Sequence, residues 1–469
     1  MTVDAVDLAF AGIARQAELV RGGSVSSREL VELYLDRIDR HDRGLNSFRT
    51  VLGDRALADA AAADRRRAAG ETAALLGVPI AVKDVEDITG EITTFGTGGF
   101  SRPARSDSEL VARLRDAGAV VIGKTNLPEL AICGFTESRT WGTTRNPWRP
   151  DRTPGGSSGG SGAAVAAGLV GVATATDGAG SIRIPAAFCG LFGLKPQWGR
   201  VMVQPANHWY CLTVGGCVSR SVLDSALFLD VTARSGGAGV PPPDRLYVEA
   251  ARTPPGRLRI AISDRPPRLI VPPIVTGEVR SPLESIAQTL SSLGHQVRRE
   301  DPSYRLAGNN FVPRYLRGIH DELAAVPHPE RLEARTRGFG RLGSLYPAPV
   351  ARRARTAARG DARRINELFG RTDVVVTPTV GEAPIEVGRW KGRSAVRTLL
   401  GMGRTYCFTP IWNHTGQPAA SVPAGFTAAG LPLAVQLIGP PNGEELLISL
   451  AAQLEAELRW TERRPPGSS

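Results

Sequence analysis

With 469 residues, 42% of them apolar and 22% charged, the chain can bury a sizeable core, and no long charged or low-complexity linker divides it. The formal charge of +11 invites a phosphate-backbone partner, but the arginines are dispersed and aromatics do not interleave with them, so no specific nucleic-acid binding is expected. Five scattered cysteines (133, 189, 211, 217 and 407) fit reduced thiols rather than a disulfide frame, and six histidines without ligand spacing leave no metal site to expect.

The first residues, MTVDAVDLAFAGIARQAELV, carry acids where a secretory leader needs bases, so a cytoplasmic location is expected. Ser27–His41 has helical periodicity. Leu75–Val82 is an apolar run that ends at Lys83 and reads as a buried strand, and Gly118–Gly123 reads as another. Beyond these lie two glycine-rich clusters separated by AAVAAGLVGVATAT, a run of small apolar residues suited to close packing. Gly162–Thr176 is only 15 residues long and weakly apolar, which argues against a membrane span. Pro/Gly-rich breaks at Ser235–Pro243 and Arg252–Gly256 read as loops or an insertion boundary. Leu258–Ser263 and Asp373–Pro378 read as short buried strands, and Ser281–Leu293 and Glu444–Leu458 as helices. The densest basic cluster, Arg352, Arg353, Arg355, Arg359, Arg363 and Arg364, reads as a solvated helix face, with an anionic-partner site as the alternative.

The glycine clusters hold the chemistry. Ser157 and Ser181 each sit inside one, and glycine permits the backbone turns that let N–H groups converge on a point. A serine at such a point has a hydroxyl nucleophile and donors for an oxyanion, the parts of an acyl-transfer site. A flexible linker is excluded by the apolar run, and a phosphate cradle by the absence of Gly-Lys-Ser/Thr or G-x-G-x-x-G. Only four lysines stand among 57 basic residues: Lys83, Lys124, Lys195 and Lys391. Arginine does not release its proton, whereas a buried lysine can act as a neutral amine base. Lys83 therefore has two readings, a base desolvated at the end of a strand or an ion-pair partner of Asp84.

The segments LLGVPIAVKD, TPGGSSGGSGAAVAAG and DGAGSIRIPAAFCGLFGLKP together resemble the amidase signature family of serine hydrolases. The likeness extends through SSRELVELYLDRIDRHDRGLNSF, VVIGKTNLPEL and GTTRNPW, resumes in NHTGQPAASVPAGFTAAGLPLAVQLIGPPNGEELL, and is weakest between residues 240 and 400. It implies a large single α/β domain over residues 1–469, a mixed twisted β-sheet covered by α-helices on both faces. The signature core would span about 70–235, a variable region about 240–400 and a C-terminal return to the core about 401–469.

The resemblance also implies roles. Ser181 would be the nucleophile, Ser157 the bridging serine after a cis peptide, and Lys83 the base that later returns the proton to the leaving amine. The backbone N–H groups of Gly178, Ala179, Gly180 and Ser181 would form the oxyanion hole. Here the chain departs from the family's usual Asp-Thr-Gly-Gly-Ser, having Asp177-Gly178-Ala179-Gly180-Ser181. Asp177 and Arg183 would fix the loop as an ion pair, and Ser158 would support the network without reacting. Substrate walls are expected at Phe95, at Ala131, Ile132, Cys133, Gly134 and Phe135, at Trp209, and in parts of 300–400. No cofactor and no membrane association are implied; the partner is a small-molecule amide, with homodimerisation left open. Alternative functions are the A-type subunit of a tRNA-dependent glutamine amidotransferase, an amide-forming acyltransferase and a catalytically silent scaffold. Residues 337–370 lack the tyrosine-rich stretch expected of the first.

Overall fold

The computed structural model describes residues 4–201, 203–233, 240–267, 271–305 and 307–468. Its strands are β1 (Phe48–Val51), β2 (Pro79–Lys83), β3 (Val120–Thr125), β4 (Glu137–Ser138), β5 (Gly142–Thr143), β6 (Val172–Asp177), β7 (Gly193–Lys195) and β8 (Val214–Ser219). There follow β9 (Arg259–Ile262), β10 (Gln296–Arg299), β11 (Val374–Pro378), β12 (Ala419–Phe426) and β13 (Pro432–Ile438).

Apart from the small β4–β5 hairpin, these strands build two ordered runs, β1-β3-β2-β6-β8 and β7-β12-β13-β11-β9-β10. The runs join where Phe192, just before β7, exchanges both backbone hydrogen bonds with Ser219 at the end of β8, at 3.0 and 3.1 Å. β2 is parallel to β3 and β6, and β9 to β10 and β11, while β6–β8, β7–β12, β12–β13 and β11–β13 are antiparallel. The result is one α/β domain with a mixed sheet.

Side chains of successive strand residues point to opposite faces, and the packing follows that rule. Ile80 and Val82 of β2, Val121 of β3 and Val172 of β6 join one core, along with Val376 of β11 and Leu437 of β13. Helices 109–116, 222–232, 277–292 and 444–458 close that face through Leu110, Phe228, Ile286 and Leu450. Ala81, Ile122 and Ala173 turn the other way, under helices 27–45, 53–68 and 159–166. Each fully buried Leu, Ile or Phe contributes ~1.5–3 kcal/mol, so both faces are strongly specified.

Several boundaries differ from the sequence reading. Gly77 takes a positive φ (+76°), so the chain turns there and only Pro79–Lys83 of the apolar run is strand. The helix expected at Ser281 begins at Gly277 and carries Pro282 inside it. The helix at Ser27 runs on to Leu45, closed by a Ser26–Glu29 capping box at one end and left-handed Asn46 at the other. Glu444–Leu458 is helical over the expected span. Of the break expected at Ser235–Pro243, residues 235–239 lie outside the described residues. The region of weakest resemblance supplies helices 307–324, 334–344 and 348–366, of which the first and last line the cavities at the candidate site and the second packs on the first.

Candidate active site

Strand β2 delivers Lys83 into the interior, where its side chain is wholly buried. The β6 threonines receive it: its N–H donates to Thr174 Oγ1 at 2.8 Å, and its Nζ donates to Thr176 Oγ1 at 2.8 Å. Nζ also donates to Ser157 Oγ at 2.8 Å, and the Gly156–Ser157 peptide is cis. No carboxylate pairs with Nζ among the described residues. Burial drives the Lys83 pKa from 10.5 to about 7, against the raising pull of Asp177, Glu86 and Glu322.

Asp84 points away from Lys83. Its carboxylate meets Lys124 Nζ at 2.7 Å and Arg49 Nε at 3.0 Å, and accepts from Thr94 Oγ1. The ion-pair reading of Lys83 is thereby corrected: Lys124 takes that role. The scarcity of lysine does not by itself mark the site, because Lys83, Lys124 and Lys195 are all fully buried. Lys195 donates to Pro196 O at 2.8 Å.

Asp177 ends β6 and organises the loop after it. Its carboxylate accepts from Gly180 N–H at 2.6 Å, Ile182 N–H at 3.2 Å and Asn413 Nδ2 at 2.8 Å. Arg183 grips it bidentately, Nε–Oδ2 at 2.9 Å and Nη2–Oδ1 at 3.0 Å. Burial pushes the Asp177 pKa up, but Arg183 outweighs it and brings the pKa to about 2. The remaining guanidinium donors reach Thr409 O at 3.0 Å, Gln436 Oε1 at 2.6 Å and Asn413 Oδ1 at 2.6 Å. A buried pair with every donor satisfied is the arrangement in which charge can be kept out of water. Ser158 exchanges two long hydrogen bonds of 3.4 Å with the Thr176 backbone, bracing β6.

This corrects the expected oxyanion hole. The Gly180 N–H is taken by Asp177, while those of Gly178, Ala179 and Ser181 have no acceptor among the described residues. Gly180 sits at φ +125°, and a Cβ there would collide with Thr409, whose hydroxyl donates to Ala179 O at 2.7 Å.

Ser181 and Ala179 open on a cavity of about 140 Å³ whose walls include Ala131, Ile132, Gly134 and Trp209. Cys133 and Phe135, expected in that wall, do not line it. Phe135 packs on Trp390 with ring centroids 4.8 Å apart, and burial pushes the Cys133 thiol up to about 12, away from nucleophilic use. Phe95 lines a second cavity of about 610 Å³, which also holds Thr176 and Glu86 and shares Ala131 and Trp209 with the first. Sequence reasoning missed Thr176, Asn413, Gln436 and Thr409. The alternation ATATD, which puts Thr174 and Thr176 on one face of β6, was a usable signal for the first.

Among the described residues no group of His, Cys, Asp or Glu could hold a metal ion, and all five cysteines are unpaired and buried. No described helix is long and apolar enough to cross a membrane.

The Amidase family profile matches residues 29–448. AmiB2 of Mycobacterium tuberculosis, a protein that bears an amidase name, is 49% identical over 466 residues, 99% of each chain. The 6-aminohexanoate-cyclic-dimer hydrolase of a Pseudomonas species is 33% identical, over 96% of this chain and 95% of the relative. A solved structure of 6-aminohexanoate cyclic dimer hydrolase with substrate superposes with a TM-score of 0.88 at 30% identity, covering 98% of this chain and 99% of the other. Peptide amidase from Stenotrophomonas maltophilia superposes with a TM-score of 0.79 at 28% identity, covering 98% of each chain. The chain belongs to the amidase family, the amidase signature enzymes. It is an amidase, an enzyme acting on carbon–nitrogen bonds.

Proposed function

We propose that this amidase hydrolyses a small carboxylic amide through an acyl-enzyme on Ser181, with Ser157 and Lys83 as its proton relay. The observation that carries the reading is a buried lysine that meets no carboxylate among the described residues, its Nζ 2.8 Å from Ser157 Oγ. Such an amine can start neutral and take a proton through Ser157 as Ser181 Oγ attacks the carbonyl carbon. The free N–H groups of Gly178, Ala179 and Ser181 would hold the resulting oxyanion, each such donor contributing ~3 kcal/mol.

The C–N bond then breaks, and the proton on Lys83 returns through Ser157 to the departing nitrogen, since an amine does not leave as an anion. Water, deprotonated by the same relay, attacks the acyl carbon and frees Ser181. Relatives that by name act on a cyclic amide and on peptides support a shared reaction and divergent walls.

The test is labelling by a fluorophosphonate and release of amine from a simple amide by the purified chain alone. Labelling should map to Ser181 and vanish in Ser181→Ala. Labelling at another serine refutes the role assignment, and turnover only with partner subunits and tRNA favours the amidotransferase.

A further inference from the structure

The two cavities that meet at Trp209 and Ala131 differ in charge. The smaller, with Ser181, has no charged side chain among its described lining residues. The larger reaches Thr176, whose hydroxyl contacts Lys83 Nζ at 2.8 Å. On the acyl-enzyme reading, on which this inference rests, the acyl part lies beside Ser181. The departing nitrogen faces the lysine that returns its proton. The acyl group therefore enters the apolar cavity and the amine part the larger one.

The larger cavity carries charge of both signs. Glu86 is buried, the Glu322 side chain is 19% exposed, and Asp321, Arg352 and Arg355 stand exposed at the rim. The carboxylates already have partners. Ser108 Oγ donates to Glu86 at 2.6 Å, Trp209 Nε1 donates to Glu322 at 2.9 Å, and Tyr210 OH donates to Asp321 at 2.9 Å. The arginines have none: the guanidinium groups of Arg352 and Arg355 meet no carboxylate or hydrogen-bond acceptor among the described residues. They lie three residues apart on helix 348–366 and so share one of its faces. Arg317 pairs with Asp321 at 2.8 Å, so the acids are satisfied and the two guanidiniums are not, which leaves an anion as the missing partner, and Arg is suited to a carboxylate.

We propose that the substrate is the amide of an apolar carboxylic acid with an amino acid, its free carboxylate held at the rim by Arg352 and Arg355. Hydrolysis adds one water across the C–N bond and gives an apolar carboxylate and a zwitterionic amino acid. The new ammonium lies on the Glu322 side and the carboxylate at the arginines.

The experiment compares four hexanoyl amides: those of glycine and 4-aminobutanoate, of neutral propylamine, and of 1,3-diaminopropane. For each, kcat/KM is measured on the wild type and Kd on Ser181→Ala. The better carboxylate should exceed the propylamide by about tenfold or more in kcat/KM and bind with a Kd lower by about tenfold or more, as expected for a hydrogen-bonded charge pair. In an Arg352→Ala/Arg355→Ala protein that ratio should fall to about one, and Arg355→Glu should shift preference to the ammonium amide. Equal or better use of the propylamide, or a ratio unmoved by the double substitution, overturns the proposal while leaving the amidase reading intact. Loss of turnover on all four with Ser181 unlabelled refutes the acyl-enzyme reading instead, and the Kd ratios on Ser181→Ala still decide carboxylate selectivity.

Discussion

Gly178 packs tightly on Trp209: a Cβ at position 178 would stand 2.9 Å from both Cε3 and Cζ3 of the indole. Toward the backbone end of the same residue, a Cβ at Gly318 would stand 2.7 Å from Trp209 Cα and Cδ1. Trp209, which lines both cavities, is thus hemmed in at both ends by glycines, and it is further held by Tyr315 edge-on at 5.1 Å. Trp209, Tyr210 and Cys211 all have positive φ (47°, 56° and 65°), a costly run that persists only when its surroundings enforce it.

This contact leaves no room at position 178 for the threonine that the resemblance leads one to expect there. Gly178→Thr should push the indole out and lower kcat/KM by about tenfold, in line with overpacking costs of ~1–3 kcal/mol. Adding Trp209→Ala should recover part of the loss. Intrinsic tryptophan fluorescence and kinetics on one amide read both effects, and a Gly178→Thr protein with wild-type kinetics would contradict the functional weight of this contact.

Asp177→Asn tests the strut of the nucleophile loop. The change leaves Arg183 buried without its counter-charge, which should cost ~3–5 kcal/mol in urea unfolding at pH 7. The sign with pH follows from a folded pKa of about 2 against an ordinary 3.8. The pair's contribution is complete above pH 3.8 and is lost as pH falls toward 2. The gap in stability between wild type and Asp177→Asn should therefore narrow on acidification. A gap that is constant from pH 7 to pH 3 would assign the damage to packing alone.

Lys124→Met separates the two lysines of the neighbouring strands β2 and β3. Lys124 and Asp84 are both fully buried and 2.7 Å apart, so removing the cation should cost ~3 kcal/mol of stability. Arg49 and Thr94 still hold Asp84, which places the expected loss at the low end for a broken buried pair. The acidic limb of the pH–rate profile should stay where it is in wild type. A moved limb would mean that Lys124, not Lys83, sets it.

The sequence made the sheet and the triad candidates legible because both rest on local rules. Apolar runs at β2, β3 and β11 became strands, and the glycine clusters became the tight backbone around Ser157 and Ser181. What stayed hidden depends on residues distant in the chain. Gly180 is a free donor on paper, yet Asp177 captures its N–H, a competition visible only once the loop closes. Arg183 gathers Thr409, Asn413 and Gln436 from more than 200 positions away, and no periodicity announces such a shell. Cys133 and Phe135 lie outside the cavity wall that Ala131, Ile132 and Gly134 line, on a stretch whose positive φ at Leu130 and Ala131 follows no regular period. Strand geometry alone argues against a Lys83–Asp84 pair, since adjacent residues at a strand's end point apart.

Lys83 itself gives the sharpest test. Burial lowers its pKa to about 7, so the neutral amine predominates above pH 7 and the ammonium below it. For a base that must start neutral, kcat/KM for an amide should rise about tenfold per pH unit below 7 and level off above it. The same shift bears on stability. The folded pKa lies below the ordinary 10.5, so between about 7 and 10.5 the unfolded chain binds more protons than the native protein. Lys83 therefore opposes folding most at and below pH 7, and its penalty shrinks as pH climbs through that window. Lys83→Met should gain stability relative to wild type at pH 6 and lose that advantage by pH 10. Lys83→Arg keeps a cation that cannot release its proton, so amide turnover should fall by at least ~100-fold. Lys83→Ala should lose amide turnover similarly but retain more activity on an aryl ester, because an aryloxide leaves without a proton. Matched amide and ester kinetics across pH 6–10, with urea unfolding at both ends, measure all of this. A Lys83→Arg enzyme with near wild-type amide turnover would reduce the lysine to a structural donor for Ser157 and Thr176.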